Sequence, residues 1–413
     1  MARWFAGARG RLRGGAALAV PVAGAVLWAG AAVPAGAVED VERPWYLGAL
    51  RAEDVWEVAR GQGVTVAVID SGVDASLPEL RGRVLPGVDL TDGRSGAGVD
   101  ATGHGTDMAA LIAGSGAGGG IQGLAPEASI LPVRLTESAG GVLSNGEARM
   151  AQAILAAVEG GARVINISRG GRDRGFGVPE VNAALAEAAR RDVLVFASTG
   201  NEGEGGNASE FPASRPGVVG IGAVGPDAER APFSTFGPQV ALAAPGTDMP
   251  GHCEWPDASV LCVFPEGGTS SATAVASAAA ALVWSAHPEW TKNQVLRALI
   301  ETAQRPEGGD GRDQHTGFGM VRPDRVLLGG GAEPGEADVN PLFAEFEAVL
   351  APPPSPSPSP SSSPSPERPP APALAREPRP RAEPGRPWLL WGGAGAASLA
   401  VAATAVALSR RRS

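Results

Sequence analysis

The chain has 413 residues, a formal charge of −10 and 44% hydrophobic residues, enough apolar material for one large core with appendages and too much for a disordered chain. The acidic balance excludes nucleic acid as the expected partner. Removing the first 37 residues takes away Arg3, Arg9, Arg11 and Arg13 but no acid, which deepens the charge to −14.

Those four arginines precede an apolar run at 16–32 and then Ala35-Gly36-Ala37, a leader-peptidase type of ending. Residues 1–37 therefore read as a secretory signal peptide, with an uncleaved anchor as the alternative reading of so long a run. A short N-terminal extension, 38–60, follows. Only 32 residues separate the expected mature start from Asp70, which leaves no room for a separately folded inhibitory prodomain.

Short β-branched runs at 64–69, 130–135, 164–168 and 193–198 alternate with stretches of helical spacing at 147–159 and 181–191. Buried strands alternating with amphipathic helices predict an α/β domain over 61–328 with a mostly parallel sheet. Two more strands are expected at 218–223 and 240–244, and two closing helices at 270–287 and 291–302. In such sheets sites form at the carboxyl ends of strands, where Asp70 and Asn201 fall.

Beyond the domain, 329–387 reads as a Pro- and Ser-rich linker that cannot bury enough apolar surface to fold. Residues 388–408 then carry no charge and are followed by Arg410, Arg411 and Arg412. That pattern predicts a transmembrane helix whose basic tail, 409–413, is cytoplasmic, with the domain outside the membrane. Cys253 and Cys262, nine positions apart, read as one local disulfide in an exported protein. A zinc site using His252 beside them lacks a fourth ligand. No metal and no cofactor are expected.

Three glycine-flanked segments carry the chemistry: Asp70-Ser71-Gly72, Gly103-His104-Gly105-Thr106 and Gly268-Thr269-Ser270-Ser271-Ala272. A serine nucleophile needs a base to take its proton and a carboxylate to hold that base, and the three segments supply one of each. Ser270 stands at the start of an apolar helix, whose free N–H groups suit a developing oxyanion. His104 is the candidate base; His252, His287 and His315 lack its setting. Asp107 reads as a first-turn acid favoured by the helix dipole.

In this order the segments resemble those of the subtilisin-like serine peptidases, and with Gly317-Phe318-Gly319-Met320-Val321 the resemblance covers about residues 45–328. It implies a three-layer α/β fold, a catalytic set of Asp70, His104 and Ser270, and Asn201 of Gly200-Asn201-Glu202-Gly203 as the side-chain oxyanion donor. It also implies that Ser168-Arg169-Gly170 forms the edge that pairs with an extended peptide substrate. The family usually has Met and Pro where this chain has Ser271 and Ala274, and an apolar residue at Arg169. If the Arg169 guanidinium faces the peptide, it selects an acidic side chain before the scissile bond; if it faces solvent it adds almost nothing.

The layout of leader, peptidase domain, Pro-rich linker and terminal span resembles the mycosins, membrane-anchored subtilases of actinobacterial type VII secretion. That likeness implies a secretion complex as partner. A general secreted peptidase, or a stabilising component of such a complex whose peptidase activity is dispensable, are the alternatives.

Overall fold

The computed structural model describes residues 43–91, 96–135, 146–173, 179–305, 311–330 and 332–350. The expected leader, the linker from 351 onward, the span at 388–408 and the basic tail lie outside the described residues. Among the described residues, no helix is long and apolar enough to cross a membrane.

The strands are β1 (Thr65–Asp70), β2 (Val88–Asp89), β3 (Ser129–Arg134), β4 (Val164–Ile167), β5 (Gly171–Arg172), β6 (Leu194–Ser198), β7 (Glu210–Phe211), β8 (Val218–Val224), β9 (Val240–Pro245), β10 (Met249–His252) and β11 (Leu261–Phe264). The helices are α1 (Trp45–Ala49), α2 (Ala52–Trp56), α3 (His104–Ala113), α4 (Gly146–Glu159), α5 (Pro179–Arg190), α6 (Gly268–Ala286), α7 (Lys292–Thr302), α8 (Pro323–Leu327) and α9 (Ala344–Ala348). Seven strands form one sheet in the order β2-β3-β1-β4-β6-β8-β9, with every adjacent pair parallel.

The strand sequences explain the layers. Segments such as VINI in β4 and LVFAS in β6 are buried throughout, as a parallel sheet covered on both faces requires. Successive side chains point to opposite faces: Val66 and Val68 join the core with α3 and α6, while Ala67 and Ile69 join the core with α4 and α5. The alanine- and serine-rich α6 is buried along nearly its whole length, its small side chains allowing close approach to the sheet. A capping box between Thr291 and Gln294 starts α7.

The six strands expected from the sequence are β1, β3, β4, β6, β8 and β9, each end within one residue of its expected place. The β10–β11 hairpin has no counterpart among the strands expected from the sequence. The expected linker boundary at 329 is too early. Residues 332–350 dock on the domain, where Asn293 Nδ2 donates to Ala337 O at 3.1 Å, Arg297 Nη2 to Val339 O at 3.0 Å, and Lys292 Nζ to Glu347 Oε1 at 2.5 Å. Proline-serine composition begins only past this stretch, and the stretch itself carries Asn340, Phe343 and Phe346 for contact with the body.

Candidate active site

β1, β4 and β6 are neighbours in the sheet, so their carboxyl ends bring Asp70, Ser168 and the turn leading to Asn201 to one edge. Helices α3 and α6 enter the same edge with His104 and Ser270 in their first turns.

The start of α3 is built by Asp100. Its Oδ1 accepts the N–H groups of Thr102 and Gly103 at 2.9 Å, and its Oδ2 accepts the Thr106 N–H at 2.8 Å and hydroxyl at 2.7 Å. Donors that a helix start leaves unpaired are thereby satisfied, and His104 is fixed beside them. Gly103 has φ +82°, and a Cβ there would lie 2.8 Å from the Trp255 ring, whose Nε1 donates to Asp100 O at 3.1 Å. Neither Asp100 nor Trp255 was singled out from the sequence. The one signal was the Asp-x-Thr-Gly turn pattern of residues 100–103.

His104 Nδ1 lies 2.9 Å from both carboxylate oxygens of the fully buried Asp70. Asp70 Oδ1 also accepts the Ser71 N–H at 2.8 Å and Arg169 Nε at 3.0 Å. The expectation that Arg169 meets peptide or solvent is thus corrected, since its guanidinium turns inward to the buried Asp70 carboxylate. Burial works against the charge on Asp70, but His104 and Arg169 outweigh it and hold the carboxyl below the usual aspartate range. For His104, burial and Arg169 disfavour the imidazolium while Asp70 and Asp107 favour it, and the balance leaves its pKa raised.

Ser270 Oγ donates to Ser168 O at 3.1 Å, and Ser168 Oγ donates to Ser270 O at 3.0 Å. The Ser270 hydroxyl therefore points to the β4 edge in this state, with no hydrogen bond to His104 among the described residues. Asn201 Oδ1 accepts both the Thr269 N–H and the Thr269 hydroxyl at 2.9 Å. A backbone N–H can only donate, so the amide oxygen must face Thr269 and Nδ2 is presented as a donor. A Cβ on Gly268 would lie 3.1 Å from that Nδ2. Gly170 borders the same edge, its neighbour Gly171 pairing with Phe211 of β7.

Beside the site, a disulfide joins Cys253 and Cys262 across the β10–β11 hairpin. His252 of β10 is buried between two carboxylates, Nδ1 to Asp107 Oδ1 at 2.6 Å and Nε2 to Glu79 Oε1 at 3.1 Å. Burial disfavours its charge, but the two acids raise its pKa to about 9. Asp107 thus has a partner beyond the helix dipole. No group of three or more His, Cys, Asp or Glu among the described residues could hold a metal ion.

The sequence matches the Subtilase family over residues 61–319, more than half of the chain. The chain belongs to the subtilase family. It is 34% identical to subtilisin NAT of Bacillus subtilis subsp. natto over 251 residues, 59% of this chain and 61% of that protein. Among solved structures it resembles the MycP3 protease from the type VII (ESX-3) secretion system, with TM-score 0.60 and 31% identity over 69% of this chain and 88% of that one. It also resembles MycP1 with the N-terminal propeptide removed, with TM-score 0.60 and 29% identity over 69% of this chain and 98% of that one. This subtilase is accordingly a serine peptidase whose structural neighbours are mycosins. The removed propeptide in MycP1 leaves no support from that relative for the expected lack of a prodomain.

Proposed function

We propose that this subtilase is an endopeptidase acting through Asp70, His104 and Ser270, tethered outside a membrane and associated with type VII secretion. The observation that carries the catalytic part is the pairing of His104 Nδ1 with buried Asp70 at 2.9 Å, which leaves Nε2 for the nucleophile. Rotation about the Ser270 side chain brings Oγ from the Ser168 carbonyl to His104 Nε2. His104 takes the hydroxyl proton as Oγ attacks the scissile carbonyl, while Asp70 steadies the imidazolium. Asn201 Nδ2 and the Ser270 N–H stabilise the oxyanion. The C–N bond breaks as His104 protonates the leaving amine, and water hydrolyses the acyl-enzyme by the same steps in reverse roles.

Support for the cellular part comes from the leader at 1–37, the uncharged run at 388–408 with its arginine tail, and the likeness to proteins of type VII systems. The full chain should hydrolyse an unstructured protein, and Ser270→Ala should not. Truncation before Trp388 should release the peptidase into the medium; retention in the membrane fraction contradicts the tether. Secretion restored by Ser270→Ala in a deletion strain favours the stabilising role over proteolysis.

A further inference from the structure

Next to Asn201, on the side of its neighbour Glu202, lies an open cavity of about 140 Å³ lined by Arg172, Glu202, Ala208 and Glu210. Its place is set by two glycines. A Cβ on Gly170 would lie 2.8 Å from the Glu210 carboxylate, and a Cβ on Gly200 would lie 2.5 Å from it. Gly170 follows the Ser168-Arg169 edge that holds Ser270 Oγ, while the Gly200 N–H donates to Thr269 Oγ1 at 3.2 Å and Asn201 comes next. The carboxylate is therefore bracketed by the two segments that position the nucleophile and the oxyanion donor. The antiparallel pair β5–β7 sets Arg172 opposite Glu210 and keeps that register.

A substrate whose carbonyl sits at Ser270 and Asn201, with its backbone along 168–170, has one side chain entering between these segments. We infer that Glu210 is the specificity-determining residue of this site and selects a lysine or arginine immediately before the scissile bond. Three observations bear on the charge. Glu210 has no side-chain hydrogen bond or ion pair among the described residues: Arg215, five residues on, pairs with Asp173 at 2.6 Å, and Arg172, which lines the same cavity opposite Glu210, is exposed and makes no ion pair with it. Glu202 adds a second negative charge at the rim, and with burial raises the proton affinity of Glu210, a tension that a substrate cation relieves. Ala208 is the one apolar lining residue, so an aliphatic or aromatic side chain finds little to bury against.

The proposal rests on the serine peptidase reading, and its test separates the two. The full chain is given a peptide series differing only in the residue before the scissile bond, Arg, Lys, Leu or Phe, and a matched pair of peptidyl phosphonates with an arginine-like or a leucine side chain. A charge-assisted contact with the half-buried Glu210 should favour the basic members by roughly 10- to 100-fold in kcat/KM and in labelling rate. Glu210→Gln, nearly isosteric, should lose that preference while the Leu peptide stays within about threefold of wild type. Glu210→Asp should keep part of it. Equal use of Leu and Arg by wild type overturns the proposal, as does an equal loss on both substrates in Glu210→Gln. If a small fluorophosphonate labels Ser270 but neither peptidyl probe does, the pocket takes no such side chain and the proposal fails with the peptidase reading intact. If nothing labels Ser270, both fail.

Discussion

Arg169 places a cation on the same carboxylate that steadies His104, and the two effects oppose each other. Asp70 and Asp107 raise the pKa of His104, burial and Arg169 lower it, and the net position is above the ordinary 6.5. His104 must be neutral to act as base, so the acidic limb of kcat/KM follows its titration in the free enzyme. Arg169→Leu removes one lowering influence and should move that limb to higher pH, while Arg169→Lys should leave it near wild type; an unmoved limb in the Leu variant contradicts the pairing. Asn201→Ala should cost roughly 10²–10³ in kcat with KM little changed, the scale known for the side-chain oxyanion donor of subtilisin. A loss below about threefold leaves Asn201 a turn residue. The candidates Asp70, His104 and Ser270 stand out in the sequence because each lies in a glycine-flanked segment at an element end, and the meeting of Asp70 with His104 follows from that placement. The direction of Arg169 was not legible, because a cation just past a strand end can reach peptide, solvent or carboxylate, and only the fold places Asp70 beside it. Asp100 and Glu210 were illegible for a related reason: one acts on backbone N–H groups, and the other meets glycines 10 and 40 residues away only in three dimensions.

At the scale of elements, the β10–β11 hairpin is fastened to the histidine-bearing α3 by His252 and Trp255. The side chains of His252 and Glu79 are each only 2% exposed, so the imidazolium depends on its two acids for the charge it keeps. In the unfolded chain the imidazole titrates near 6.5, in the folded protein at about 9. The native state therefore binds the extra proton between those values, and this stabilisation is full below pH 6.5 and lost as pH rises through about 9. Thermal melting of wild type should fall across that window, and His252→Gln should flatten the dependence while losing roughly 3–5 kcal/mol of stability at neutral pH. A variant as stable as wild type, with the same alkaline decline, contradicts the clamp. The main strands and helices were legible because β-branched runs and helical periodicity persist over several residues, and burial on both faces admits little else. The hairpin was not, since its strands are four residues each and hold Pro, Gly, His and Cys, so the pairing rests on the disulfide and on His252.

Across the whole domain, the chemistry and the docked 332–350 segment lie at opposite ends of the sheet's strands. Asp70, Ser168 and Asn201 follow the carboxyl ends of strands, whereas the docked 332–350 segment is held by Lys292 and Asn293, next to Asp192 and Arg163, which precede β6 and β4. Lys292 is the one lysine of the chain, and its buried ammonium meets Glu347 and Asn293. Lys292→Met should free residues 332–350 to limited proteolysis while leaving kcat/KM within about twofold, because sites this far apart couple weakly. Unchanged proteolysis would show that the lysine does not hold the segment. The segment went unread because its Gly, Glu and Pro content merges with the linker beyond, and its few anchoring residues show no period. The serine chemistry itself is tested most directly by reacting the full chain with a fluorophosphonate and mapping the adduct by peptide mass spectrometry. A single adduct on Ser270 is expected, absent in Ser270→Ala and formed far more slowly in His104→Ala; labelling that persists undiminished in Ser270→Ala, or that maps to Ser271 or Ser168, contradicts it.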